Sequence, residues 1–147
     1  MRYCEASQGR VFILSLDDGD MIPGVIEKFA EEKRVQRGYC MLLGGAQKGS
    51  KIVVGPVNEA SRPVVPLVYE LEGVHEVMGI GTIFPDEEGR PALHLHVSAG
   101  RNGKASTGCS RTGIKAWQLS EVVVVELLET EACRKNDPEI GFPKLFV

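Results

Sequence analysis

The chain has 147 residues and a net charge of −3, with 20 acidic residues against 17 lysines and arginines. This length predicts a single domain, residues 1–147, with a core that needs no disulfides, and the charge disfavours broad attraction to nucleic acid or an anionic membrane. No stretch approaches the ~20 apolar residues of a membrane span, and the first residues lack the apolar core of a signal peptide. The predicted compartment is therefore the cytoplasm, where the four cysteines stay reduced.

The first third of the chain predicts a strand followed by the one clear helix. Residues 11–16 form a short apolar run that ends in an aspartate-rich turn, which is typical of a buried strand. Asp20 is placed to cap a helix, with Pro23 in its first turn. Apolar residues then recur at helical spacing, and the helix should end before Gly38. One face of this helix is expected to pack on a sheet.

The rest of the chain predicts mainly strands, at residues 39–43, 51–54, 68–71, 76–84, 92–99 and 121–128. The proline-rich residues 57–66 indicate a loop or a sheet edge, and Gly79 and Gly81 indicate a bulge or a close backbone approach. Residues 110–120 look less regular, whereas the unbroken apolar run at 121–128 predicts burial on both faces. The apolar C-terminal end is expected to dock on this subunit or on a neighbour. The fold class is α+β, a largely antiparallel β-sheet with one main helix packed on it.

Two of the three histidines lie on one predicted strand. Apolar and polar residues alternate over residues 93–98, so His94 and His96 project from the same face. The pair Asn102-Gly103 predicts a two-residue hairpin turn, which places His96 opposite Cys109. Two imidazoles and a thiol on one patch are typical of a zinc site. A three-residue loop would instead turn Cys109 to the other face, and a His-x-His pair on a strand can also be merely hydrogen-bonded.

Several short motifs occur in an order that resembles the plants-and-prokaryotes-conserved (PPC) domain family. They are Gly9-Arg10, Gly44-Gly45-Ala46, Tyr69-Glu70-Leu71-Glu72-Gly73, Gly81-Thr82-Ile83, His94-Leu95-His96-Val97, Glu121-Val122-Val123-Val124, and Arg134 with Asp137 before Gly141-Phe142. The resemblance covers nearly the whole chain. It implies a small α+β domain that assembles as a homotrimer.

The resemblance also implies a metal site with His94 and His96 as its first two ligands. The third ligand position, a histidine in the family, falls on Cys109 in this chain. Because thiolate also binds zinc, the exchange preserves the chemistry of the site and favours a softer metal. The implied cofactor is zinc or another divalent transition metal.

Two functions remain open. The first is a trimeric metal-binding protein with a regulatory or scaffolding role. The resemblance makes DNA a candidate partner, since prokaryotic members of the family are often described as DNA-binding. The second is a zinc-dependent, hydrolase-type enzyme with water at an open metal position. The sequence contains no clear DNA-binding motif. Glu88-Gly89-Arg90-Pro91 lacks the leading arginine of an AT-hook. The basic residues 33–37 are those expected at a solvated helix end, where positive charge complements the helix dipole. We expect weak or no sequence-specific DNA binding.

Four further residue roles follow from position. Glu76 is the candidate general acid–base, although it could be an ordinary exposed carboxylate. His75 could supply a fourth ligand or remain solvated in its turn. Arg111 falls opposite His94 in the hairpin register, where it could bind an anion or pair with a surface carboxylate. A nucleophilic pair of Cys109 with His96 is a weaker alternative, because it leaves the second histidine unexplained.

Overall fold

The chain forms eleven β-strands, one α-helix and one 3₁₀-helix, and the computed structural model describes residues 1–147. In chain order the elements are β1 (Ser7–Leu16), β2 (Met21–Ile22), α1 (Gly24–Glu32), β3 (Gly38–Ala46), β4 (Lys51–Pro56), β5 (Pro66–Glu70), β6 (His75–Pro85), β7 (Pro91–Arg101), β8 (Lys104–Cys109), the 3₁₀-helix (Ser110–Thr112), β9 (Ile114–Leu128), β10 (Cys133–Asp137) and β11 (Phe142–Phe146). No helix is long and apolar enough to pass through a membrane.

Nine strands form one antiparallel sheet. Its order is β1-β9-β3-β6-β7-β8-β4-β5, and β2 pairs with β9. Strands β10 and β11 form a separate two-stranded hairpin. This architecture confirms the predicted α+β class with a largely antiparallel sheet and one main helix.

One face of the sheet packs against α1 and forms the core. Ile26 and Ala30 of the helix are fully buried, as are Val122 and Val124 of β9. The intervening Val123 is only partly buried, so the prediction that residues 121–128 are buried on both faces is wrong for this position. The reason is that the helix covers only one side of the sheet.

The other face of the sheet carries apolar side chains that nothing in the chain covers. Ladder pairs run sideways across it from Ile13 through Val123, Met41 and Ile80 to His96. Ile13 is 85% exposed and Ile80 is 68% exposed. We call this surface the open face, and its other large apolar members are Leu43 and Met78.

Three local predictions differ from or are refined by the structure. Asp20 does not cap the helix, because Pro23 occupies the N-cap position and the Asp20 carboxylate accepts from the Asp17 backbone N–H at 2.9 Å. Residues 114–120 belong to β9 rather than to a looser segment. At Gly79 and Gly81 the ladders to both neighbouring strands are unbroken, so these glycines mark close packing against β7 and not a bulge.

The C-terminal hairpin contacts the main sheet of the same chain through Arg134. The apolar tail residues Leu145, Phe146 and Val147, which were expected to dock, remain exposed in the single chain. Arg134 of β10 donates to the Thr82 hydroxyl at 2.9 Å and to the Thr82 carbonyl at 3.2 Å. Its side chain is almost fully buried. The docking places β10 beside β6 at the same end of the sheet as His94, which pairs with Thr82.

A buried carboxylate joins β1 to β9. Glu126 is buried and accepts from Arg10 Nε at 2.7 Å and Nη2 at 2.6 Å. The Arg10 hydrogen bonds hold the pKa of Glu126 below its usual range, against the opposing effect of burial.

Glu126→Gln is therefore expected to lower the free energy of unfolding at pH 7. A folded-state pKa below the unfolded value gives stability that is present above the unfolded pKa of about 4.3 and is lost as the pH falls through the folded value. Urea unfolding at a series of pH values should thus show the difference from the unmodified protein shrinking below about pH 4. Glu59→Gln is the control, because Glu59 is exposed and forms no ion pair. It should leave the free energy of unfolding unchanged at every pH. A loss of stability in Glu126→Gln that does not depend on pH would contradict the electrostatic explanation.

Candidate metal centre

The β7–β8 hairpin has the register that the sequence predicted. Asn102 and Gly103 both have positive φ, 52° and 71°, as a type I′ turn requires. Arg101 pairs with Lys104, and His96 pairs with Cys109. Leu95 and Val97 point into the core at 1% exposure each, so His94 and His96 must point to the open face.

The ladder brings three metal-ligating side chains together. The Nε2 atoms of His94 and His96 lie 3.1 Å apart, and their rings are nearly perpendicular. With Cys109 Sγ they form a group in which all ligand atoms lie within 4.8 Å of one another. Cys109 is buried and both imidazoles are exposed, so one side of the group opens outward.

The donor set and its spacing fit zinc. Two imidazole nitrogens on one tetrahedral zinc are separated by about 3.3 Å, because each Zn–N bond is about 2.0–2.1 Å long. The observed Nε2 separation is close to this value, and the thiol needs a shift of only about 1 Å to complete three ligands. Three protein ligands leave one position of a tetrahedral ion free.

Charge and burial keep the imidazoles neutral, which is the form that binds metals. Burial lowers the pKa of His94, and the positive charges of Arg134 and Arg111 lower it further. Burial also lowers the pKa of His96, together with His94 and Arg111. Both arginines therefore lie near the ligand group.

Arg111 does not continue the β8 strand, so its predicted position opposite His94 is wrong. The ladder ends at the pair His96–Cys109, and the next residues form the 3₁₀-helix. Ser110 is buried and its hydroxyl donates to the Leu95 carbonyl at 3.1 Å, which fixes this change of direction. Arg111 then stacks on the Phe142 ring, with Cζ 4.4 Å from the ring centroid. It pairs with no surface carboxylate in the chain.

Arg134 is a second cation at the site, and sequence reasoning gave it no role of its own. Burial lowers its pKa, and a negative charge on Cys109 would raise it. Its guanidinium also lies 5.7 Å from the Phe84 ring centroid. The chain supplies it with carbonyl and hydroxyl acceptors but with no carboxylate. The only earlier signal for this residue was its place in the family-like motif near the C-terminus.

Glu76 and His75 lie apart from the ligand group. Strand β6 does pair with the histidine strand, but Glu76 lies opposite Gly100 whereas Ile80 lies opposite His96. Four residues of strand separate these pairs by about 13 Å. His75 is buried at the start of β6, where its Nδ1 lies 2.9 Å from the Gly73 carbonyl, so it supplies no fourth ligand within the chain.

The fold and the site together describe a small α+β domain with a His/His/Cys group at the edge of an open sheet face. The sequence pattern of the Plants and Prokaryotes Conserved (PCC) domain matches residues 3–128. The chain belongs to this family, as its motifs predicted. The match ends before the C-terminal hairpin that carries Arg134 and Phe142.

Solved structures with the same fold come from archaea and bacteria. A metal-containing protein from Archaeoglobus fulgidus is 23% identical with a TM-score of 0.85, and the similarity covers 100% of both chains. A plant- and prokaryote-conserved protein from Pyrococcus horikoshii is 20% identical, with a TM-score of 0.82 over 100% of both chains. A candidate DNA-binding protein from Ralstonia eutropha is 20% identical with a TM-score of 0.70, over 92% of this chain and 90% of that one.

One curated relative is much longer than this chain. The bifunctional protein GlmU from a Synechococcus species is 25% identical over 140 residues, which is 94% of this chain. The chain spans only 20% of that relative's length.

Proposed function

We propose that this PCC-domain protein is a homotrimer that binds zinc or another divalent transition metal through His94, His96 and Cys109. The observation that carries the metal proposal is the convergence of two Nε2 atoms and one Sγ atom within 4.8 Å. A burial-lowered pKa at both histidines supports it, because neutral imidazole is the ligand form. The Archaeoglobus relative of the same fold is a metal-containing protein.

The open face supports the trimer. Its apolar side chains line a groove of about 480 Å³ that runs past Met41, Met78 and Ile80 to His96. Contiguous exposed apolar surface of this kind marks protein–protein contact sites. Because His96 borders the groove, a subunit seated on the open face would lie directly beside the metal.

We further propose that the protein has a regulatory or scaffolding role. Relatives with this fold include candidate DNA-binding proteins, and DNA is therefore the partner to consider first. Two observations favour weak DNA binding at most. The net charge of the chain is acidic, and Arg37 of the basic residues 33–37 already donates to the Ala132 carbonyl at 2.8 Å. Phosphate contacts from free lysines and arginines dominate DNA affinity.

A zinc-dependent hydrolase is the second candidate. Three ligands with one open position, next to a cavity, is the arrangement that catalytic zinc uses to acidify a bound water. Within one chain, however, Glu76 lies about 13 Å along the strand from the residue opposite His96. A metal-binding role without hydrolysis therefore accounts for more of the site.

Residues 1–147 act as one domain in this proposal, because Arg134 of the C-terminal hairpin bonds to Thr82 of the main sheet. A cytoplasmic location suits a site that depends on a reduced thiol. All four cysteines are free in the structure.

Elemental analysis of protein purified without a nickel column tests the metal proposal. We expect about one equivalent of zinc or a related metal in the unmodified protein and less than about a tenth in Cys109→Ala, because two imidazoles alone bind zinc weakly.

Cys4→Ala is the matched control, since Cys4 is an exposed cysteine beside the edge strand β1, four strands away from β7. It should keep the metal of the unmodified protein. A metal-free unmodified protein would overturn the proposal, and unchanged metal in Cys109→Ala would remove Cys109 from the ligand set.

A further inference from the structure

A small cavity opens directly beside the ligand group. His96 and Cys109 form one part of its wall, and Arg111 forms another. The remaining wall is largely apolar and consists of Val53, Gly55, Pro56, Val64, Pro66 and Phe142. The cavity therefore joins a metal-binding end to a hydrophobic end.

The cation at this cavity has no anion from the chain. Arg111 forms no ion pair with any carboxylate, and its guanidinium is held in place by the Phe142 ring at 4.4 Å. Arg134 adds a second, buried guanidinium near His94 and Cys109. A metal dication would make this end of the cavity still more positive, since only Cys109 among the three ligands brings a negative charge.

The size of the cavity limits its ligand. Its volume of about 190 Å³ is below the 300–1,000 Å³ of sites that hold drug-sized molecules. The apolar wall favours a short hydrocarbon group over a second charged group, because burying an unpaired charge there would be costly.

We infer that this cavity binds a small monocarboxylic acid with a short hydrocarbon tail. The carboxylate of this acid would occupy the metal position that the three protein ligands leave free, and it would accept a hydrogen bond from the Arg111 guanidinium. Its tail would lie against Val53, Val64 and Pro66. The inference deepens the proposed function and rests on its metal site. It makes the protein a metal-dependent receptor for a small organic acid, a role that suits regulation.

Cobalt-loaded protein titrated with isovalerate tests the inference, because the visible spectrum of Co²⁺ reports a change of its ligands. We expect a saturable spectral change with isovalerate and none with isovaleramide, its neutral isostere. Acetate should bind more weakly, because it lacks the tail. Arg111→Gln should weaken isovalerate binding about tenfold or more, the usual cost of losing a charged hydrogen bond.

Two further variants test whether isovalerate binding depends on the local charge of Arg111 and on the free volume of the cavity. Arg2→Gln makes the same charge change at an exposed residue beside the edge strand β1 and should leave binding unchanged. Val64→Phe should fill the cavity and abolish isovalerate binding, while the cobalt spectrum without isovalerate stays as it was.

The outcomes distinguish the two proposals. Absence of cobalt–thiolate bands from the unmodified protein would overturn the metal site, and with it this inference. Normal cobalt bands that do not respond to isovalerate would overturn the acid site alone. Equal binding of isovalerate and inorganic phosphate would also overturn it, because the apolar wall would then play no part.

Discussion

Ile80→Glu is expected to convert the proposed trimer into a monomer that still folds and still binds metal. Ile80 lies in the middle of the open face, between Met41 and His96 in the ladder, and is 68% exposed in the single chain. A glutamate there is solvated in the monomer, but in a trimer it would be buried without a partner. That penalty should weaken association about a hundredfold or more, and sedimentation velocity at micromolar concentration would detect it.

Met21→Glu is the matched control for the open face. Met21 is also an exposed apolar residue, at 50%, but it lies in β2 beside the start of α1. Its glutamate variant should sediment like the unmodified protein. A monomeric unmodified protein would refute the trimer, and an Ile80→Glu variant that remains trimeric would place the subunit contact elsewhere. Metal content should be the same in all three proteins, since one chain supplies all three ligands.

Gly108→Ala is expected to lower stability and metal content together. A Cβ at Gly108 would clash with the Val53 carbonyl oxygen and would lie 2.9 Å from the carbonyl carbon, both of which are backbone atoms. Strand β4 would have to move away, and its only ladder pair with β8 is Val53 with Cys109, the proposed third ligand. Overpacking of this kind costs about 1–3 kcal/mol, which urea unfolding would measure.

Gly100→Ala provides the comparison on the neighbouring strand. Nothing lies closer than 3.8 Å to a Cβ at Gly100, so the change should alter the free energy of unfolding by less than about 1 kcal/mol. Metal content should also be unchanged. Equal stability of the two alanine variants would show that β4 does not pack tightly against β8, and the explanation for Gly108 would then be wrong.

The clustering of His94, His96 and Cys109 could be predicted because it depends on one unambiguous turn. The pair Asn102-Gly103 fixes the hairpin at two loop residues, and strict alternation then places His96 opposite Cys109. Arg111 could not be placed in the same way. The chain leaves the ladder at Ser110, whose buried hydroxyl donates a hydrogen bond to the Leu95 carbonyl. The alternation of side chains along a strand does not predict where that strand ends.

The position of Glu76 depends on a less informative turn. Pro85 pairs with Pro91, so a five-residue loop sets the register between β6 and β7. Loops of this length adopt several conformations, and strand adjacency alone says nothing about the offset along the strand. The contact of the C-terminal hairpin with Thr82 could not be predicted either, because the Arg134 guanidinium makes it and the apolar residues of the tail stay exposed.

The C-terminal hairpin lies outside the matched family pattern, yet it contributes to the surroundings of the His/His/Cys group. The family pattern ends at residue 128 and includes His94, His96 and Cys109, whereas Arg134 and Phe142 belong to the hairpin that follows. A change confined to this short segment would alter the cavity wall and the charge beside the proposed metal site, while the three proposed ligands stay the same. A protein cut after residue 128 would keep the three proposed ligands but lose Arg134 and the Phe142 ring that contacts Arg111, and the hairpin is therefore the segment to retain in any fragment made from this chain.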